Sequence, residues 1–295
     1  MIGSVDDFGG RRPDYVGESG DGNLVIYLPD GHIADGGFKE IWDATGMPWP
    51  EGRDYIVRLN ELELRRLGYP KDGVEEVTIA LLRPHDIPES IRDYGGIGVS
   101  GRDLYVDKLG MDMSSCNGGF VEGLNRQGMI RLIDLGCRPS YLAAAFPKRY
   151  GIANMGEVKG VLARLKPNVA VVATEFGDIA TTVAEESMGF QSGEYTIRKA
   201  NGKTEVFPRL GQSHGIVDVT ETGNSLRENE LAVAEPFIME RITPQFVSNA
   251  STYRAHAPVV DEMVKRMEAR IDELMEDNPQ IFKDKLQTEG LFASV

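Results

Sequence analysis

The sequence predicts an α/β protein built on mainly parallel sheet, and three observations carry that prediction. Apolar runs of strand length recur along the chain, among them Asn23–Leu28 (NLVIYL), Val77–Leu82 (VTIALL) and Val169–Thr174 (VAVVAT). Segments of helical character lie between such runs, and alternation of strand with helix is the pattern of parallel sheets joined by crossover helices. Finally, Gly215–Leu231 (GIVDVTETGNSLRENEL) is a β-branched strand that breaks into a small-residue turn and restarts as a helix-like segment.

The elements follow in order. Residues 1–22 are rich in Gly and Asp and lack an apolar segment, so they are predicted to form a mobile arm and not a signal peptide. Asn23–Leu28 is a strand stopped by Pro29-Asp30-Gly31, and Phe38–Thr45 is the helix expected after it. Val77–Leu82 is a second strand, Glu89–Tyr94 a short helix, and Gly95–Gly101 a glycine-rich strand and turn. Met111–Gly128 shows little periodicity and is expected to be an insertion or surface loop. Ile130–Leu135 and Ser140–Phe146 resume strand character, and a helix is expected over Ile179–Met188, after Val169–Thr174. Tyr195–Lys199, a Gly-containing turn and Glu205–Leu210 lead into the Gly215 motif. In Pro258–Leu274, Met263, Met267, Ile271 and Leu274 recur at helical spacing, with Asp261/Lys265 and Glu262/Arg266 as i,i+4 pairs, which predicts a packing helix.

Composition narrows the function. The 295 residues carry a formal net charge of −14, which argues against general nucleic-acid binding while leaving room for small polyanions at a local arginine cluster or a bridging magnesium ion. Two cysteines, Cys116 and Cys137, without a CxxC pair make neither a zinc site nor a disulfide framework. No apolar run approaches membrane-spanning length, and the expected compartment is the cytoplasm. His32, His85, His214 and His256 have no ligand-like spacing and read as surface or packing residues.

The chemistry concentrates in the Gly215 motif. Backbone N–H groups and hydroxyls of a turn between a strand and a helix converge on one point, and the helix dipole adds positive character there. Asp218, just before the turn, suits a ligand that carries sugar hydroxyls next to a phosphate. An ordinary turn with Asn224 or Ser225 as N-cap is the plain alternative.

Leu28–His32, Arg83–Pro88, Gly98–Asp103, Leu135–Arg138, Ala173–Phe176, Gly202/Glu205/Pro208 and Asp218–Leu231 form a series that resembles the ATP phosphoribosyltransferase family of histidine biosynthesis. Leu28-Pro29-Asp30-Gly31-His32 stands where that family has a Leu-Pro-Lys-Gly-Arg loop, Arg83–Pro88 resembles its Arg-Pro-x-Asp-Ile-Pro, and Gly98–Asp103 its Gly-Ile-Thr-Gly-x-Asp. Leu135–Arg138, Ala173–Phe176 and Gly202/Glu205/Pro208 match further segments, and Asp218–Leu231 matches the Asp-x-x-x-Thr-Gly-x-Thr/Ser-Leu-x-x-Asn-x-Leu signature. The resemblance covers Asn23 to Ala250.

It implies a two-lobed fold like that of periplasmic binding proteins, with lobe I at 23–134 and 241–257, lobe II at 135–240, a cleft active site, and a C-terminal helix and tail at 258–295. It implies attack of adenine N1 of ATP on C1 of phosphoribosyl pyrophosphate, with Mg²⁺ assisting departure of pyrophosphate. Asp218, Arg102 and Glu205 are then the catalytic candidates. Asp218 and Glu221 would take the ribose hydroxyls, and Thr222, Gly223, Asn224, Ser225 and Leu226 the 5′-phosphate. Asp30, His32, Arg83, Arg102, Arg138 and Thr174 fall at nucleotide or pyrophosphate positions. The short segment after Tyr253 resembles the short, catalytic form of the family, a homo-oligomer that works with a histidyl-tRNA-synthetase-like regulatory subunit.

The first loop departs from the family. Asp30 and His32 replace a basic pair, which turns attraction for a polyphosphate into repulsion. Either Arg53 or Lys39 supplies the missing charge, the acceptor is a base or nucleotide other than ATP, or the chain is a non-catalytic nucleotide-binding protein.

Overall fold

The computed structural model describes residues 22–31, 33–51, 55–70, 74–165, 169–200 and 202–293. Its strands are β1 (Asn23–Pro29), β2 (Ile56–Asn60), β3 (Glu76–Leu82), β4 (Ile97–Gly101), β5 (Met129–Asp134), β6 (Ser140–Pro147), β7 (Ala170–Thr174), β8 (Tyr195–Lys199), β9 (Gly215–Thr220), β10 (Leu231–Ile242) and β11 (Pro244–Asn249). Its α-helices are α1 (Lys39–Asp43), α2 (Glu61–Arg66), α3 (Ile87–Tyr94), α4 (Arg102–Lys108), α5 (Phe120–Arg126), α6 (Val158–Leu165), α7 (Gly177–Thr182), α8 (Asn224–Glu228) and α9 (Ala250–Asp277).

Two sheets form, in the orders β2-β3-β1-β4-β11-β5 and β10-β6-β9-β7-β8. Each is built on three parallel strands, β3-β1-β4 and β9-β7-β8, flanked by antiparallel neighbours. Strand β1 shows why its run is apolar throughout. Leu24, Ile26 and Leu28 point to one buried cluster with Met263 and Met267 of α9, while Val25 and Tyr27 point to another. A strand covered on both faces has no polar side to alternate. The second of these clusters also contains Phe146, Ile179 and Val217, so the two lobes share an apolar interior. A third cluster, on the far face of the second sheet, joins Ala143, Ala145, Ile216 and Leu226 to Leu291 near the C-terminus.

The chain passes between the sheets at β5–β6 and returns at β10–β11, and the two crossings are tied together. Thr243 Oγ1 donates to Asp134 Oδ1 at 2.7 Å, and the Leu135 N–H to the Pro244 carbonyl at 3.1 Å. A second tie lies in the interface. Asp107 of α4, 3% exposed, accepts the N–H groups of Asp178 and Ile179 at the start of α7, at 3.0 and 3.2 Å. The chain crosses once more after α9, where residues 283–293 run as a strap over the second sheet. The Val233 N–H donates to the Leu291 carbonyl at 2.8 Å.

Three features differ from the sequence expectation. Met111–Gly128 is not a surface loop: it folds as a 3₁₀ turn (Met113–Cys116) and α5, with Ser115, Cys116, Phe120 and Leu124 buried. Its segments are too short to show a period. The expected helix from Pro258 forms, beginning just after a backbone break at His256 (φ −124°, ψ 16°), but a helical segment from Ala250 that the sequence reading did not expect leads into it, the two making up α9. Proline lacks the N–H of a helix interior and its ring crowds the preceding turn, so the chain breaks just before Pro258 and restarts with it in the first turn. Strand β10 was not legible because Pro236 interrupts it and its register with β6 shifts twice. The arm 1–21, His32 and Arg53 lie outside the described residues. Among the described residues no helix is long and apolar enough to cross a membrane.

Candidate active site

Strand β9 ends at the interface between the sheets, and the turn after it is fastened by its own hydroxyls. Thr220 Oγ1 accepts the Gly223 N–H at 3.0 Å, and Thr222 Oγ1 the Asn224 N–H at 3.2 Å. Gly223 has φ +77°, and a Cβ there would lie 3.0 Å from both Arg227 and Leu291, so glycine is required twice over. The helix that follows, α8, is five residues long with Gly223 as N-cap and no side-chain cap. So short a helix contributes little dipole, and the positive character of the site must come from side chains.

Asp218 lies on β9 beside the one-turn 3₁₀ helix Thr204–Val206, whose Thr204 hydroxyl donates to its Oδ2. The Val219 N–H donates to Oδ1 at 2.8 Å. Burial pushes the Asp218 carboxyl up from 3.8 to about 6; these two donors oppose the rise, and the nearby charges of Glu175 and Glu205 add to it. The facing wall is the β4–α4 turn. Asp103, 6% exposed, folds back over Gly101, where a Cβ would lie 2.2 Å from Asp103 Oδ1. Burial also raises this carboxyl, to about 6, against the pull of backbone N–H groups, His85 and Arg102. His85, after β3, reaches across the lobes to Glu175 at 3.3 Å; the bond to that carboxylate raises its pKa above 6.5 against burial.

At the third corner, Arg138 (φ +46°) follows β5. Its Nη2 donates to Glu221 Oε2 at 2.6 Å, and Lys285 Nζ from the strap lies 3.2 Å from Glu221 Oε1. Burial works against ionisation of Glu221, but the two cations hold its carboxyl below the usual range. These walls enclose a cavity of about 390 Å³ lined by Gly101, Asp103, Cys137, Arg138, Val219 and Glu221 among others, a volume ordinary for a small-ligand site.

The family model for HisG, ATP phosphoribosyltransferase, matches residues 83–269, more than half of the chain. The chain belongs to the ATP phosphoribosyltransferase family. Curated members similar to it include those of Caldicellulosiruptor bescii (28% identical over 252 residues, 85% of this chain and 100% of the relative) and Rubrobacter xylanophilus (29% over 239 residues, 80% and 91%). That of Anoxybacillus flavithermus is 25% identical over 256 residues, covering 86% and 99%. Among solved structures, the ATP phosphoribosyl transferase (HisG:HisZ) complex from Thermotoga maritima shares the fold, with TM-score 0.59 and 21% identity over 85% of this chain and 99% of that one.

The residues that the family resemblance selects are only partly gathered in this cleft. Arg138 and Glu221 line the cavity and are joined to each other, while Asp218, with Glu205 near it, and the turn 222–225 lie beside it around the end of β9. Leu226 does not present its side chain to the cleft: it is 3% exposed in the apolar cluster with Leu291. Arg102 turns aside, donating to the Glu240 carbonyl of β10 while its buried Nε has no partner. Thr174 is fully buried, and its hydroxyl accepts the Phe176 N–H at 2.8 Å. Arg83 and Asp30 are exposed, and Lys39, at the start of α1, sits 5.8 Å over the Trp49 ring. Sequence reasoning passed over Thr204, Thr220, the His85–Glu175 pair and Lys285. Hydroxyls near the motif were the one available signal for the first two.

Among the described residues no group of three or more His, Cys, Asp or Glu side chains could hold a metal alone. Magnesium needs only one or two carboxylates when it is bound together with a polyphosphate, and Asp218 with Glu205 and Glu175 beside it fits that requirement.

Proposed function

We propose that this protein transfers the phosphoribosyl group of phosphoribosyl pyrophosphate to ATP, the first step of histidine biosynthesis. The observation that carries the reading is the cavity itself. It brings Val219 and Glu221 at the end of β9, the Arg138 cation and the β4–α4 turn of the opposite lobe around one space. Asp218 accepts ribose hydroxyl hydrogens, and Arg138 faces a phosphate. Departure of pyrophosphate leaves a cation-like ribose carbon, so catalysis rests on orientation and on carboxylates facing that carbon. Mg²⁺, held by Asp218 and the donor's oxygens, would neutralise charge on the leaving pyrophosphate. The turn 222–225 would seat the 5′-phosphate, and Glu205 would act through Asp218. The two sheets support the lobe division 23–134 with 241–257, and 135–240, proposed with this function. A homo-oligomer, a regulatory subunit of the kind named in the Thermotoga maritima complex and a cytoplasmic location belong to the same reading.

Asp30 favours one second reading, the same donor with a different acceptor. Pyrophosphate release, measured with phosphoribosyl pyrophosphate, Mg²⁺ and a panel of ATP, other nucleotides and free bases, separates the two. Release with ATP is expected. Release only with another acceptor replaces ATP by that acceptor, and silence across the panel overturns the transferase reading.

A further inference from the structure

The Glu221 carboxylate lies between two cations of different origin. Arg138 comes from the crossing after β5, and Lys285 from the strap, outside residues 83–269 matched by the family model. Lysine on a strap would ordinarily be a solvated surface group. Here the chain is held on both sides of it, through the Asp284 side chain and the Gln287 backbone. Tyr141 OH donates to Asp284, the Gln287 N–H donates to the Thr222 carbonyl at 3.2 Å, and Arg227 donates to the Gln287 carbonyl at 2.7 Å. Further on, Leu291 is fully buried. The strap is thus fastened to the turn that carries the family signature, and Lys285 is delivered to its edge.

Charge makes this position useful. The Glu221 carboxylate is flanked by two cations in a chain of net charge −14. All three side chains keep some contact with solvent, 30% for Arg138, 46% for Lys285 and 25% for Glu221, so an incoming anion can reach them. A phosphate dianion offers three acceptor oxygens and more charge than a carboxylate, so it competes well for the same two donors. The described part of the first loop, Leu28–Gly31, carries no cation, and its Asp30 is exposed.

We propose that Lys285 is a phosphate-binding residue of the cleft, and that the Glu221 carboxylate is an internal anion which Arg138 and Lys285 exchange for a substrate phosphate. Once released, Glu221 is free to accept a ribose hydroxyl hydrogen. The proposal rests on the reading of this cleft as the donor site. The phosphate is either that of the ribose or that of the pyrophosphate, and the ligands of the test distinguish them.

Calorimetric titration of wild type, Lys285→Ala, Lys285→Arg and Glu221→Gln with ribose 5-phosphate, inorganic pyrophosphate and phosphoribosyl pyrophosphate tests it. Lys285→Ala should weaken one of the first two ligands, and phosphoribosyl pyrophosphate with it, by about tenfold. Lys285→Arg should restore most of the loss. Glu221→Gln, which removes the competing anion, should tighten the same phosphate ligand. Partners in a merely structural ion pair would shift binding in the same direction when either is removed. Unchanged binding by Lys285→Ala, or weakening by both Lys285→Ala and Glu221→Gln, overturns this proposal while leaving the donor-site reading intact. A wild-type protein that binds none of the three ligands overturns both.

Discussion

Two parallel strands, β1 and β9, end in turns with a left-handed glycine, and the turns could hardly be more differently furnished. After β9, Thr220 and Thr222 bind the turn's N–H groups, Gly223 is hemmed in by Arg227 and Leu291, and two cations stand at the edge. After β1, the Asp30 N–H donates to the Leu82 carbonyl at 3.0 Å, and a Cβ on Gly31 (φ +69°) would meet nothing within 4 Å. The turn after β9 is held by side chains, with the Glu221 carboxylate between two cations at its edge. Among the described residues the turn after β1 is closed by backbone bonds. In the proposed function, the donor half of the cleft is the one built by this chain's own contacts, and the acceptor half is where the chain departs from the family pattern.

The largest expected effect tests the organised half. Asp218→Asn should lower kcat/KM for phosphoribosyl pyrophosphate by roughly 10- to 100-fold, the worth of one charged hydrogen bond to a ribose hydroxyl. A loss below twofold would dissolve the contrast between the turns. The same substitution should stabilise the fold. The carboxyls of Asp218 and Asp103 both rise from 3.8 to about 6. Between those values the folded chain holds protons that the unfolded chain has released, so stability falls as pH rises from about 4 to 6. Asp218→Asn should therefore raise stability at pH 7 by about 1 kcal/mol, with no gain at pH 3.5, in denaturant melts. Activity, which needs the ionised carboxylate, should fall as pH drops through about 6.

Next in size is the comparison of the two glycines. Gly31→Ala should cost about 1 kcal/mol, from its backbone conformation alone. Gly223→Ala adds contacts at 3.0 Å with Arg227 and Leu291 and should cost about 2–3 kcal/mol. Equal thermal shifts would mean that the strap does not confine the signature turn. The smallest effect belongs to the open turn: Asp30→Lys should lower KM for ATP only about two- to threefold, since exposed charges are screened. A much larger gain would show that the acceptor's phosphates lie closer to Asp30 than the exposed first turn suggests.

What was legible in the sequence followed from local rules. Apolar runs such as β1, β3 and β7 declared themselves, and so did Asp218 and the Thr-Gly turn, because strand, turn and acidic residue lie within eight positions. Contacts between distant segments left no such trace. Nothing near Lys285 points to Glu221, 64 residues earlier. Arg102 was read correctly as lying at a strand end, yet its side chain serves the Glu240 carbonyl 138 residues away. Leu226 belongs to the motif because the turn needs an apolar anchor beneath it, a packing role that a motif match cannot tell from a binding one.

Asp107 bears on how substrates enter. Swinging the lobes apart would break the two bonds from the Asp178 and Ile179 N–H groups to the Asp107 carboxylate, about 1.5–3 kcal/mol each. It would also expose the shared apolar interior. The molecule therefore behaves less like a pair of jaws than like a vessel with a fixed body, in which traffic is governed at the rim by the two turns and the strap.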